Sequence, residues 1–563
     1  MKKYTVGIDF GTLSGRCLLV DVATGEEVAV NVLDFPHQVM SERLPDGTPL
    51  MVDWHLQHPQ DYLDVLSNTI RAVLKETGIL PEQVIGIGVD FTACTMLPIL
   101  KDGTPLCFLE EFQSSPNAYV KLWKHHSAQP WADRMNEIAH ERGEKFIHRY
   151  GEKISSEWMF PKILQTLEES PEVYAKTDAF IEATDWIVMR LTGKLIRNSC
   201  SAGAKACWHK KDGFPSKEYF KALNPKFENV IEEKFWGEIK SIGTRAGELT
   251  KEAAEFIGLL EGTPVAVAHL DAHGATLGAK VTGPGQMLIM MGTSSCHEIM
   301  CETEQLVPGI CGYVEDGIVP GYFGYEAGQA CVGDHFSWFM ENCLPASYER
   351  KAKEQGKNIY AYLDELAAAK EVGETGLLAL DWWNGNRTVL VDGTLSGMLV
   401  GCTLLTKPED IYRALMEGTA FGTRKIVETF EEYGVSVKEI IIAGGIAQKN
   451  PFMMQVYADV TGRQIRIAGS RQNAALSSCI WAAIAAGKEN GGYDDIREAA
   501  EIMGSLLEEV YTPVQKKKEL YDELYKEYEI LHDYFGRGEN QVMKRMKMRM
   551  ETCKRNREKE KIC

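Results

Sequence analysis

The stretch Gly7-Ile8-Asp9-Phe10-Gly11-Thr12-Leu13-Ser14-Gly15-Arg16 sets a carboxylate between an apolar run and a loop of small residues. Tyr4 to Ile8 reads as a strand, Gly11 to Gly15 as a turn, and Arg16 to Val22 as a second strand. The product is a β-hairpin with an acid at its mouth. Backbone N–H groups in a turn of Gly, Thr and Ser can converge on anionic oxygens, because glycine has no Cβ to hold a phosphate away. Asp9 would repel a bare phosphate, but a divalent cation between them reverses the sign, which suits Mg²⁺ carrying a nucleotide. An ordinary hairpin whose Asp9 satisfies turn N–H groups competes with this reading until other parts of the chain decide.

Outward from the hairpin, Val28 to Phe35 predicts a third strand. Tyr62, Val65, Leu66, Ile70, Val73 and Leu74 predict a helix, and residues 84–100 return to strand. Residues 110–250 are rich in aromatic and charged residues, with YVKLWKHHSAQ, WMFPKIL and TDWIVMRLTGK read as helices, and look like an insertion devoted to a specific ligand. From Pro264 the opening design recurs: VAVAHLDAHGATLGA is a strand entering a small-residue turn, and GQMLIMMGTSSCHEIM is strand, Gly-Thr-Ser turn and strand. Ile411, Ala414, Leu415, Gly418, Gly422 and Ile426 share one face of a long helix, and VKEIIIAGGIAQKNPFMMQVYADV runs from strand through a Gly-Gly turn into a helix. Two halves thus carry hairpin, helix and strand in the same order. Two glycine turns facing each other across a cleft, with the Gly444-Gly445 turn beside them, suit a triphosphate and its nucleoside.

A chain of 563 residues, 44% hydrophobic and 25% charged, can bury large cores and should form at least two domains. Its formal charge is −19, although residues 541–563 hold nine Lys or Arg against three Glu, so the rest is more acidic still. Broad nucleic-acid binding is excluded for such a body. The 14 cysteines form no C-x-x-C pair and the chain opens directly on a strand, so a cytoplasmic protein is expected. No apolar run approaches the roughly 20 residues of a membrane span.

The motifs Asp9-Phe10-Gly11-Thr12, Met291-Gly292-Thr293-Ser294 and Ala443-Gly444-Gly445-Ile446 resemble the two phosphate segments and the adenosine segment of the actin and hexokinase-like ATPases. Among these the chain is similar to the FGGY carbohydrate kinases, whose late signature matches GMLVGCTLLTKPEDIYRALMEGTAF at 397–421. DFGTLSGR, VDFTACT, YVKLWKHH, ISSEWM, GYEAGQACVGDHF and LDWWNGNR resemble segments of the ribulose-phosphorylating bacterial members, and the likeness extends to about residue 535. It implies an α/β fold of two ribonuclease H-like domains flanking a cleft. Expected bounds are 1–262 for a sugar-binding domain with the insertion, 263–535 for a nucleotide-binding domain, and 536–563 for a charged tail.

The same resemblance implies ATP-dependent phosphorylation of the terminal hydroxyl of ribulose, with MgATP as co-substrate and a homodimer left open; the alternatives are a kinase for another ketopentose or polyol such as xylulose, or a non-catalytic ATP- and sugar-binding sensor on the same fold. Asp271 would accept the hydroxyl proton, and Asp9 would hold Mg²⁺ through water. Gly11, Thr12, Gly292 and Thr293 would line the phosphates, and Gly444, Gly445 and Asn450 the adenosine. Sugar contacts would fall on Ala93, Trp123, Lys205, Asp271 and Glu326. Ser477 departs from the glycine common in the segment after the adenosine turn.

Taken on their own chemistry, these residues keep alternatives. Phosphoryl transfer to an alcohol needs in-line positioning, charge neutralisation and a proton acceptor, and Asp271 at a strand end supplies the last, though an Asp there also suits a helix cap. Trp123, with Lys121, Lys124, His125 and His126 nearby, offers an apolar face and donors for a polyol, but a helical Trp is more often core. Lys205 reads as lying in a small-residue loop, where most lysines are solvated, and Glu326 could equally be half of an internal ion pair. Neither Cys296-His297 nor His125-His126 has metal-ligand spacing, and no P-loop or H-R-D motif is present. The basic tail reads as a solvated helix or a disordered end.

Overall fold

The computed structural model describes residues 2–562, the side chains of Glu551 and of residues 554–563 excepted. The opening stretch is a hairpin of β1 (Tyr4–Phe10) and β2 (Ser14–Asp21), antiparallel with Asp9 opposite Arg16. β3 (Glu27–Asp34) extends the meander. Helix α1 (Pro59–Thr77) then carries the chain back so that β4 (Val84–Phe91) pairs parallel with β1. Proline at the first turn and Gly78 at φ 69° bound α1, and Tyr62, Val65, Leu66, Ile70 and Val73 bury one face at helical spacing. β5 (Arg245–Glu248), β6 (Pro264–Ala266) and β7 (His269–Leu270) complete a seven-stranded sheet in the order β5-β6-β4-β1-β2-β3, with β7 also paired to β4.

The second half repeats this plan. β8 (Gly285–Met291), β9 (Ser295–Cys301), β10 (Gly312–Glu315), β11 (Phe323–Gln329), β12 (Val437–Ala443), β13 (Gln464–Ala468) and β14 (Leu506–Tyr511) form another seven-stranded sheet, ordered β10-β11-β9-β8-β12-β13-β14. Between β11 and β12 runs α2 (Pro408–Glu432). β3-β2-β1-β4-β6 in one half corresponds to β11-β9-β8-β12-β13 in the other, with the first strand of each antiparallel to its hairpin partner and parallel to the strand beyond the crossover. β6 and β7 lie past residue 262, the expected end of the first domain, yet pair into the first sheet.

One element ties the halves together. α3 (Asn473–Ala486), reading NAALSSCIWAAIAA, belongs in sequence to the second half but lies on the first sheet, against β4, β1 and β6. Glycine makes the approach possible. A Cβ at Gly7 would stand 2.1 Å from the Ala475 carbonyl oxygen, and one at Gly88 2.0 Å from that of Ser478, so helix backbone rests directly on strand backbone. Arg245 from β5 donates Nε to the Ala485 carbonyl at 2.9 Å and Nη2 to that of Ala486 at 3.1 Å, capping the carboxyl end of α3.

Three local expectations change. YVKLWKHHSAQ is not a helix: Val120–Lys121 is a strand between Leu56–Gln57 and Met96–Ile99 in a four-stranded sheet, and the following helix begins only at Gln129. Cross-strand pairing overrides the helical spacing there. Lys205 lies in the helix Ser199–Ala206, which Asn198 caps by accepting the Ser201 N–H at 2.6 Å. The tail forms a helix, Val542–Ile562, that is not wholly solvated: Met543 is buried, Lys544 Nζ lies 2.6 Å from Asp392, and Lys547 Nζ donates to the Gly393 carbonyl at 2.7 Å.

Candidate active site

Parallel register assembles acids at the ends of three strands. Asp9 of β1 is beside Asp90 of β4, and Asp90 is beside His269 of β7, two residues before Asp271. Asp90 is fully buried, and burial, followed by the charge of Asp9, pushes its carboxyl well above the usual carboxylate range. Its Oδ2 accepts the Ser478 hydroxyl at 2.6 Å. Asp271 opens a one-turn helix, Asp271–Gly274, and its Oδ1 accepts the Ala272 N–H at 2.8 Å. Burial, then the Asp9 charge, raises the Asp271 carboxyl from 3.8 to about 7. Asp9 itself has one cationic neighbour among the described residues, Arg16, with Nε 3.5 Å away.

A second group stands on the β9–β11 face. Lys205 Nζ is 2.7 Å from Glu326 Oε2, and His273 Nε2 is 3.0 Å from the same oxygen. Burial is the largest influence on each member of the Lys205–Glu326 pair and opposes its charge, but the partner's charge and hydrogen bond, joined at Glu326 by His273, together outweigh it, holding the ammonium well above and the carboxyl well below its ordinary value. Glu298, paired directly across from Glu326, has no hydrogen-bond partner for either oxygen; burial and then the Glu326 charge push its carboxyl well above the usual carboxylate range. Lys205 and Glu326 therefore meet as an ion pair reaching between the halves. Trp123 donates its indole N–H to Thr12 Oγ1 at 3.1 Å, which seats it against the first glycine turn and not in a helix interior. Ala93 lies in the turn after β4 beside Thr95, whose hydroxyl donates to its carbonyl at 3.3 Å.

The flanking donors proposed around Trp123 separate from it. Lys121 is buried and donates to the Lys162 carbonyl, Gln165 and Thr166, while His125 is buried against Gln165 and Ser127. These hold the insertion together.

The two glycine turns close alike: Gly11 N–H donates to the Ser14 carbonyl and Gly292 N–H to the Ser294 carbonyl, each at 2.9 Å. Thr293 is exposed, and its carbonyl accepts the Val332 N–H at 2.8 Å. Gly444, at φ 122°, presses on β8 so closely that a Cβ would stand 2.1 Å from the Met291 carbonyl oxygen, whereas Gly445 has open space beside it. These contacts bring the Gly444-Gly445 turn up to the Gly292-Thr293 turn. Asn450 is committed elsewhere at both ends of its amide: Oδ1 accepts the Met453 N–H at 2.9 Å as a helix cap, and Nδ2 donates to Asp364 at 2.8 Å. Ser477 is buried in α3, accepting the Gly278 N–H at 2.8 Å and donating to the Asn473 carbonyl at 3.0 Å, so it serves the join between halves.

Residues 4–278 match the FGGY family of carbohydrate kinases, N-terminal domain, and residues 287–486 match the C-terminal domain of the same family. The chain belongs to the FGGY family of carbohydrate kinases. Relatives include the ribulokinase of Anoxybacillus flavithermus, 56% identical over 98% of both chains, and that of Mycolicibacterium smegmatis, 48% identical over 98% of this chain and 97% of the relative. The solved gluconate kinase of Lactobacillus acidophilus superposes with a TM-score of 0.79 at 18% identity, covering 96% of this chain and 99% of its own. The xylulose kinase of Rhodospirillum rubrum gives 0.77 at 21% identity, covering 94% and 98%. The two-sheet plan is the fold these kinases share.

Sequence reasoning leaves out several buried polar residues that the structure packs beside these groups: Asp90, Ser478 and His269 in one cluster, and His273 and Glu298 beside Glu326 in the other. Asp90 alone left a signal, since GVDF at 88–91 repeats GIDF at 7–10. The others are single residues whose meaning comes from strand register and from the seat of α3.

Proposed function

We propose that this kinase is a ribulokinase, transferring the γ-phosphoryl group of ATP to the 5-hydroxyl of L-ribulose, with D-ribulose also accepted, in L-arabinose catabolism. The observation that carries the chemistry is Asp271, a carboxylate held near neutral pKa at the strand-end edge shared with Asp9. A base poised near the working pH is the most effective proton acceptor. The identity of 56% over nearly the full length of a ribulokinase supports the choice of sugar.

In this reading the sugar lies between Ala93, Trp123, the Lys205–Glu326 pair and Asp271. Glu326 accepts hydroxyl protons and Lys205 donates to a hydroxyl or carbonyl oxygen, which fixes the chain so that its terminal hydroxyl faces Asp271. With the Gly11 and Gly292 N–H groups closing their own turns, Thr12 and Thr293 give the backbone N–H groups to the phosphates, and Gly445 leaves room for the adenosine. The residues present fit Mg²⁺: among the described residues the one cationic side chain at the Asp9 carboxylate is Arg16, at 3.5 Å, and burial pushes the neighbouring Asp90 carboxyl well above the usual carboxylate range. When bound, Mg²⁺ neutralises β- and γ-phosphate charge. We place the enzyme in the cytoplasm, consistent with cysteines that are all free among the described residues.

A coupled assay with MgATP over L-ribulose, D-ribulose, ribitol, L-arabitol, D-xylulose and glycerol tests the substrate. Ribulose is expected to give the highest kcat/KM. Xylulose or glycerol ahead by tenfold, about 1.4 kcal/mol of transition-state preference, would overturn it.

A further inference from the structure

Arg387 ends the segment LDWWNGNR, and nothing above uses it. Its Nη1 lies 3.8 Å from Cys296 Sγ, and among the described residues no carboxylate oxygen lies within 4.0 Å of the guanidinium. Its stem crosses β11 at Gly328, where a Cβ would stand 3.4 Å from both Cδ and Nη1. Cys296 and Gly328 are direct cross-strand partners, as are Glu298 and Glu326. Alternation along the strands puts all four on one face, so the guanidinium lies over the face that carries Glu326. At about 3.3 Å per residue it is roughly 7 Å along β11 from Glu326 and roughly 7 Å along β9 from Ser294 of the phosphate turn. It stands between the sugar position and the phosphate position.

The loop that carries it is anchored. Thr388 accepts the Gly328 N–H at 3.1 Å, and Asn386 and Asp392 exchange backbone hydrogen bonds of 3.0 and 2.8 Å. No carboxylate pairs with Arg387 directly: Lys205 takes Glu326, Arg16 takes Asp9, Glu157 favours the guanidinium charge only from beyond 4.0 Å, and burial keeps the Cys296 and Cys311 thiols protonated. A half-buried guanidinium with no ion-pair partner at contact distance keeps its fork of donors open to an anion.

We propose that Arg387 is a catalytic residue that clamps the phosphoryl group as it passes from ATP to the sugar, an inference that rests on the kinase reading above. The hydroxyl oxygen forms its bond to the γ-phosphorus while the bond from that phosphorus to the β–γ bridging oxygen breaks. That electron pair leaves on ADP, and the hydroxyl proton goes to Asp271. Charge spread over the equatorial oxygens during this exchange matches the planar fork of a guanidinium, which binds two oxygens at once.

The test compares the full chain with Arg387→Met and Arg387→Lys, using MgATP and L-ribulose, with sugar affinity read from intrinsic Trp fluorescence. Arg387→Met is expected to lower kcat at least 100-fold with sugar affinity within threefold, as loss of a transition-state donor does. Added guanidinium chloride at millimolar concentration should recover part of that loss. Arg387→Lys, which keeps the charge but not the fork, is expected to lose at least tenfold in kcat, and it decides the matter if the Met variant does not fold. Turnover within threefold of the parent in a folded variant, or a loss confined to sugar affinity at unchanged kcat, would overturn the clamp. A parent protein that forms no sugar phosphate would instead overturn the kinase reading on which the clamp rests.

Discussion

Asp271→Asn separates catalysis from folding, because the two respond in opposite directions. Asparagine preserves volume and can still accept the Ala272 N–H through its carbonyl oxygen, but it cannot take a proton at neutral pH. Removing a general base costs about 10² to 10⁴ in rate. The parent should show kcat/KM rising tenfold per pH unit below about 7 and levelling above it, since the Asp271 carboxyl must be ionised to act and is held at about 7. The same carboxyl ionises at 3.8 in the unfolded chain. Between pH 4 and 7 the native state therefore keeps a proton that the unfolded state has lost, and parent stability falls across that window by up to about 4 kcal/mol. Asp271→Asn lacks that loss. It should match the parent near pH 4, become the more stable protein as pH rises to 7, and stay so above. Thermal unfolding of both proteins at pH 4.5, 6 and 8, beside initial rates on the same preparations, reads both effects. A variant with turnover within threefold of the parent, or one less stable than the parent at pH 8, would refute the assignment of Asp271 as a buried base.

Asp9→Asn should raise the Mg²⁺ concentration needed for half-maximal rate and slow turnover, while sugar affinity read by Trp fluorescence stays within threefold; an unchanged Mg²⁺ response with lowered thermal stability would return Asp9 to a hairpin brace. Trp123→Phe removes the 3.1 Å hydrogen bond to Thr12 but keeps an aromatic face, so a loss of about 1 kcal/mol, roughly fivefold in kcat/KM for ribulose, is expected by steady-state kinetics. Gly88→Ala places a methyl 2.0 Å from the Ser478 carbonyl oxygen, and lifting α3 from the sheet should cost about 3 kcal/mol or more, seen as a lower unfolding temperature and faster proteolysis. Tolerance of that methyl without loss would mean α3 does not rest on β4 as described.

The sequence by itself determined the hairpins, because strand, small-residue turn and strand are local patterns readable within ten residues, as at Tyr4–Asp21 and Gly285–Cys301. It also determined that there are two halves, since the same order of elements recurs, and its likeness to the FGGY kinases placed Asp9, Asp271 and the three glycine turns. Local patterns failed where long-range pairing outweighed spacing, as where Val120–Lys121 became a strand, and where a cap was overlooked, as where Asn198 starts the helix that carries Lys205. Only the tertiary structure decided what each isolated polar residue does. The Asp90 carboxyl is pushed up because it is buried inside the sheet with Asp9 beside it in register, and Ser477 joins the halves because the seat of α3 brings it to the N–H of Gly278, 199 positions earlier in the chain. Arg387 became a cleft cation because β9 and β11 pair Cys296 with Gly328 beneath it. Hydrogen bonds and charges act over a few ångströms in space, so a residue's chemistry depends on neighbours whose sequence separation carries no local signature.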